Sequence, residues 1–171
     1  VSVLDFDGDG VLDLYLPQGA ALPGFDATGV DLRDRLFRGL GGRRFTDVTE
    51  ATSCSEPGYT FQAAAADYDG DGDPDLFLCN YGSNRLLRND RRPDGSQTFV
   101  DVTATAGVGD RAWSSCAAFA DFDRDGDLDL YVGNYVVYDE KHPLWCGDQT
   151  KGPKWRSYCH PDQFPGAPDQ L

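Results

Sequence analysis

The chain has 171 residues, with 29 acidic side chains against 15 basic ones, a formal net charge of −14, 40% hydrophobic residues and 12% aromatics. One domain of this length can bury about 70% of its unfolded surface, and the composition is that of a folding chain rather than a disordered acidic tail. Phosphate backbones and anionic lipid repel such a charge, so the expectation is no nucleic acid and no membrane insertion, and no apolar run approaches the ~18 residues a membrane helix needs. The chain opens at Val1 and contains no Met, which reads as a processed or cut start with no signal peptide in view.

In chain order, the first element is an acidic loop, Asp5-Phe-Asp7-Gly-Asp9-Gly10-Val11-Leu-Asp13. It leads into Val11-Leu-Asp-Leu-Tyr-Leu16, a run of β-formers with period-2 alternation that predicts a strand. Asp34-Arg-Leu-Phe-Arg38 and Phe45-Thr-Asp-Val-Thr49 follow. The order then repeats. Ala63 to Ala66 is a small, apolar strand, followed by the loop Asp67-Tyr-Asp69-Gly-Asp71-Gly72-Asp73-Pro-Asp75, then Asp75-Leu-Phe-Leu78, Asn84-Arg-Leu-Leu-Arg88 and Phe99-Val-Asp-Val-Thr103. A third round has Cys116 to Ala120, the loop Asp121-Phe-Asp123-Arg-Asp125-Gly126-Asp127-Leu-Asp129 and Leu128-Asp-Leu-Tyr-Val132, and restarts the next element only at Asp169-Gln-Leu171.

Each loop reads D-x-D-x-D-G-x-x-D, and its four carboxylates in nine residues repel one another unless a cation sits among them. Hard oxygen donors at loop positions 1, 3, 5 and 9, with a backbone carbonyl at position 7, are what Ca²⁺ takes, whereas Mg²⁺ demands a tighter octahedron. The expected ligands are Asp5, Asp7, Asp9, Val11 and Asp13; Asp67, Asp69, Asp71, Asp73 and Asp75; and Asp121, Asp123, Asp125, Asp127 and Asp129, with Val11, Asp73 and Asp127 supplying carbonyls. Glycine at position 6 (Gly10, Gly72, Gly126) permits the sharp turn. Three Ca²⁺ ions would bring the formal charge from −14 to −8. These are not EF-hands: position 12 is Leu16, Leu78 or Val132 instead of Glu, and strands rather than helices flank each loop.

First-loop aspartates recur after 62 and then 54 residues. Four short strands per unit of that length is the arithmetic of a β-propeller blade, which cannot bury both of its faces alone. The expected fold is all-β, made of about three propeller-type blades over approximately 1–53, 59–107 and 113–171. With these elements recurring in order, the chain resembles FG-GAP/VCBS repeats, the calcium-binding blades of integrin-α-type propellers, and is most similar to the cartilage-acidic-protein/UnbV group. That resemblance implies an extracellular, Ca²⁺-stabilised propeller without chemistry of its own and with an adhesion or surface role. Arg124, at position 4 of the third loop where the others have glycine, departs from the pattern; its side chain is expected to point outward and its charge to weaken that site.

Propellers typically close with four to eight blades, so either the sequence is part of a longer chain or neighbouring copies cover each other head to tail, as rings or filaments. The partners expected are a protein or glycan at the cell surface, or further copies of the chain. Residues 135–167 interrupt the third unit with a segment rich in Pro, Gly, Trp and Tyr. Cys146 and Cys159 are expected to staple it as a disulfide, with a zinc site made with His142 and His160 as the alternative. Trp145, Trp155 and Tyr158 are candidates for a binding patch or for packing the segment onto its blade. Cys54, Cys79 and Cys116 allow one further pair or three free thiols. No nucleophile elbow or metal-hydrolase signature occurs, so a non-catalytic role is expected, against a carbohydrate-binding or self-assembling one.

Overall fold

Short runs of alternating β-formers become antiparallel strands in a computed structural model, which describes residues 1–20, 28–139, 141–152 and 155–171. β1 (Ser2–Leu4), β2 (Asp13–Leu16), β3 (Arg35–Gly39) and β4 (Phe45–Asp47) form one four-stranded meander. A second contains β5 (Tyr59–Ala66), β6 (Asp75–Tyr81), β7 (Arg85–Arg91) and β8 (Gln97–Asp101). β9 (Ser114–Ala120) and β10 (Asp129–Asn134) begin a third. At its open side Gln170 exchanges backbone hydrogen bonds of 2.9 and 3.0 Å with Val132, at the register where Arg85 faces Leu78 in the second sheet. The result is an all-β, incomplete propeller-like arrangement of four, four and two strands. No helix is expected from the sequence; among the described residues the structure adds one α-helical turn, α1 (Thr103–Ala106), closed by Gly107 in the left-handed region, and short 3-10 turns at Gln149–Lys151 and Pro161–Gln163. Four residues are too few to show a helical period.

Two interlayer cores hold the sheets together, and β6 serves both. Leu76 and Leu78 point into a cluster with Leu4, Phe6, Tyr15, Leu36, Ala63 and Phe99, while Phe77 and Cys79 point the opposite way, toward Leu86, Ala117 and Val132. Period-2 side-chain direction thus gives a strand that is apolar on both faces, since each face meets a neighbouring sheet. Gln62 extends this contact through its amide oxygen, which accepts from Ala117 N–H at 2.6 Å.

The recurring D-V-T element has a structural explanation. Leu36 N–H and Leu86 N–H donate to the hydroxyls of Thr49 and Thr103, both at 2.9 Å. Those hydroxyls donate in turn to Asp47 and Asp101, whose other oxygens receive Arg35 and Arg85. One carboxylate therefore fixes both a turn and the neighbouring strand.

The residue heading each third strand ties down the strand before it. Asp34 accepts from Gln18 N–H at 2.6 Å, Asn84 from Asn80 N–H at 2.9 Å and Asp169 from Asn134 N–H at 2.8 Å. Asp34 is fully buried and also accepts from Tyr15 O–H, and burial pushes its carboxyl up to about 6. Its folded pKa lies above the unfolded value, so the ionised group opposes folding above pH 6, and that penalty fades as pH falls toward the unfolded pKa near 4. Asn84 does the same work uncharged. Asp34→Asn is therefore expected to be about 2 kcal/mol more stable than the parent at pH 7.5, with the difference shrinking below pH 6 and closing only below about pH 4. Thermal melts of both proteins in chelator across that range check it; a pH-independent difference would contradict it.

The 135–167 segment packs onto the third sheet through Trp113, whose ring lies 5.4 Å from Tyr135 and 6.0 Å from Tyr138. Phe164 meets Tyr138 at 5.8 Å. Trp155 and Tyr158 remain exposed. Residues 140, 153 and 154 of this segment lie outside the described set.

Candidate metal centre

Each acidic loop joins the first two strands of its sheet, and all three share one hydrogen-bonded skeleton. The position-1 carboxylate accepts the amides of positions 5 and 6: Asp5 from Asp9 and Gly10, Asp67 from Asp71 and Gly72, Asp121 from Asp125 and Gly126, at 2.9–3.2 Å. Position 5 accepts the amide of position 7, bonding Asp9 to Val11, Asp71 to Asp73 and Asp125 to Asp127. Position 9 accepts the amide of position 2, bonding Asp13 to Phe6, Asp75 to Tyr68 and Asp129 to Phe122. Gly10, Gly72 and Gly126 have φ of 82°, 97° and 100°, where a side chain is strained.

This skeleton brings carboxylates together. Oxygens of Asp5, Asp7 and Asp13 lie within 4.8 Å of one another, as do those of Asp67, Asp69 and Asp71 and those of Asp121, Asp123 and Asp129. Asp9, Asp75 and Asp125 stand outside these trios. Asp9 faces Arg38, and the two oxygens of Asp75 accept from Tyr68 and Asn89. Hard carboxylate oxygens gathered in a turn suit a hard divalent cation, so the donor set fits one in all three loops. Position 3 is the least committed to the framework: Asp69 accepts no hydrogen bond among the described residues, and Asp7 and Asp123 each accept one amide.

The first two loops are braced from the third strand of their sheets. Gly39 N–H donates to Asp13 at 2.7 Å and Asn89 N–H to Asp75 at 2.8 Å. A Cβ on Gly39 would lie 2.4 Å from the Leu12 carbonyl oxygen, so this approach requires glycine. Asn89 also donates from its side chain to the Phe6 carbonyl at 2.8 Å, linking the second sheet to the first loop. Burial pushes the Asp13 carboxyl up and that of Asp75 up to about 6. Asp129 is less buried and accepts from Phe122 alone among the described residues.

A cation already sits at the first loop. The Nε of Arg38 lies 2.6 Å from Asp7 and its Nη2 lies 2.7 Å from Asp9. Its hydrogen bond holds Asp9 below the usual carboxylate range, whereas burial raises Asp7 against the pull of the same guanidinium. The sequence places Arg38 in a repeat element without revealing this contact, because Arg88, its counterpart, binds Asp90 instead.

Arg124 is exposed and has φ of 65°, close to the 70° and 73° of Gly8 and Gly70 at the same loop position. A left-handed conformation costs a non-glycine residue roughly 1–2 kcal/mol. Arg124→Gly is expected to raise stability by about 1 kcal/mol in chelator, since unfolded-chain entropy offsets part of the relief, and by more in calcium, where a positive charge beside the third loop is removed as well. Urea unfolding checks this, and a destabilised variant would contradict it.

Cys146 and Cys159 form a disulfide with Cα atoms 5.2 Å apart, which removes the zinc alternative because neither sulfur remains a thiolate. His142 and His160 pair with Asp139 and Asp162 instead. Cys54, Cys79 and Cys116 are free thiols, the first two buried and the third exposed. No helix among the described residues is long and apolar enough to cross a membrane.

Comparison with known proteins adds to this geometry. A family model described as an FG-GAP-like repeat matches residues 5–78 and again 67–132. Cartilage acidic protein 1 of Mus musculus is 43% identical over 63 residues, covering 36% of this chain and 9% of the relative. Its Homo sapiens counterpart is 41% identical over 80 residues, 46% of this chain and 11% of the relative. The matched stretch is thus about a tenth of the length of these relatives.

Proposed function

Because this chain belongs to the FG-GAP-like repeat family, we propose that it is a calcium-stabilised, non-catalytic module of an extracellular propeller, serving adhesion or protein interaction. The observation that carries the reading is the identical amide skeleton of the three loops, each with three carboxylates converging within 4.8 Å. Ca²⁺ takes six to eight oxygens, and Asp5, Asp7, Asp9 and Asp13, with their counterparts at 67, 69, 71 and 75 and at 121, 123, 125 and 129, would hold it beside the carbonyls of Val11, Asp73 and Asp127. Each ion would lock the turn between the first two strands of a sheet and neutralise carboxylates that otherwise repel.

An outside location follows from three considerations. A disulfide persists in an oxidising compartment. All-Asp loops suit the weak-affinity, millimolar-calcium regime outside cells. The relatives are named as acidic proteins of cartilage, and this chain carries a net charge of −14. The repeating units run approximately over 1–53, 59–107 and 113–171, with 135–167 as an insert in the last. The partner is a surface protein or glycan.

Light scattering in millimolar calcium and after EDTA tests the reading. A discrete particle in calcium that keeps its mass but melts at a lower temperature on chelation is expected. Large particles that dissociate in EDTA would make self-assembly the function, and indifference to chelation in both mass and folding would overturn the calcium role.

A further inference from the structure

We propose that Arg38 is an internal cation that competes with the metal ion for the first loop, so that the Asp5–Asp13 loop loads last of the three. The inference rests on the calcium reading and adds an order of loading to it.

The geometry is that of a stand-in cation. Arg38 projects from β3 with Nε 2.6 Å from Asp7 and Nη2 2.7 Å from Asp9, the carboxylates at positions 3 and 5 of the loop. A divalent ion drawn to those oxygens has to displace the guanidinium or share with it, and two positive centres sharing one small site repel. Asp7 is largely shielded from solvent, its side chain being 16% exposed, so the contest is only partly screened.

The second loop is spared by a single difference in sequence. Arg88 holds on β7 the place that Arg38 holds on β3, four residues after the residue that heads the strand. Its guanidinium turns away to Asp90, with Nε 2.6 Å from Oδ1 and Nη2 3.0 Å from Oδ2. The position matching Asp90 in the first sheet is Leu40, which offers no carboxylate. Arg38 therefore finds its anions in the loop. At the second loop the nearest cation is Arg91, 3.5 Å from Asp73, and position 7 is expected to bind metal through its carbonyl rather than that side chain. The third loop takes part in no ion pair among the described residues.

Two substitutions test this from opposite sides. Arg38→Met removes the charge and keeps the length of the apolar stem. Leu40→Asp, at an exposed site, leaves Arg38 in place and gives it the partner that Arg88 has. Calcium titration of the whole chain by calorimetry, with no other metal present, is expected to resolve one weak step and two tighter ones in the parent. Both variants should tighten the weak step by roughly tenfold, about 1.4 kcal/mol, and leave the others alone. The reciprocal change, Asp90→Leu, should free Arg88 and weaken a second step. In chelator Arg38→Met should melt below the parent, because Asp7 and Asp9 lose their counter-charge; this readout tests the ion pair without calcium. Three steps in the parent that neither variant moves would overturn the role of Arg38 and leave the calcium reading standing. A parent that binds no calcium would overturn both.

Discussion

Asp69→Ala and Asp123→Ala are each expected to lower the melting temperature in millimolar calcium and to leave it nearly unchanged once a chelator is present. Both carboxylates occupy loop position 3, the place least involved in holding the loop itself. Asp69 accepts no hydrogen bond among the described residues, and Asp123 accepts one, from Asp125 N–H at 3.1 Å. Removing them would take away a proposed metal ligand and almost nothing from the protein framework. A site with a dissociation constant of about 0.1–1 mM stabilises by about 0.4–1.4 kcal/mol in millimolar calcium, so loss of one such site should cost up to that amount. For a chain of this size that corresponds to a drop of several degrees. Asp75→Ala is the contrasting control: its two oxygens accept from Tyr68 and Asn89, so it should destabilise with and without calcium. Equal losses in both conditions for Asp69→Ala would show that the loop is held by hydrogen bonds alone.

The second large effect concerns β6. Leu78→Ala and Phe77→Ala alter adjacent residues that point in opposite directions, Leu78 toward the first sheet and Phe77 toward the third. Both side chains are fully buried. Each truncation is expected to cost about 3–4 kcal/mol through lost transfer energy and a residual cavity. The cavities open in separate cores, so the double variant should lose close to the sum. A sheet with one wet face would tolerate one of the two changes cheaply. Urea unfolding of the singles and the double checks this, and a cost below ~1 kcal/mol for either single would mean that its face is not buried in solution.

Much of this arrangement is legible in the amino-acid sequence, and the reason lies in spacing. In D-x-D-x-D-G-x-x-D the carboxylates are close enough along the chain that one tight turn gathers them, so the trios Asp5, Asp7 and Asp13, Asp67, Asp69 and Asp71, and Asp121, Asp123 and Asp129 need no tertiary information. Strand positions follow from period-2 runs, and Asp169 is visible as a strand-heading residue by its likeness to Asn84. What stays hidden depends on contacts between distant segments. Arg38 and Arg88 look alike in sequence, and their fates separate only where Leu40 or Asp90 decides which carboxylate lies within reach. The D-V-T element visibly repeats, yet the bonds from Leu36 and Leu86 to Thr49 and Thr103 cross 13 and 17 residues. Asn89 reaching the Phe6 carbonyl spans 83 residues, beyond anything a local pattern can encode.

Calcium-ion counting by equilibrium dialysis tests the central claim most directly. At saturating calcium the account predicts three ions per chain, falling to two in Asp69→Ala and in Asp123→Ala, in keeping with the three carboxylate trios. Retention of no ions by the folded parent would contradict it.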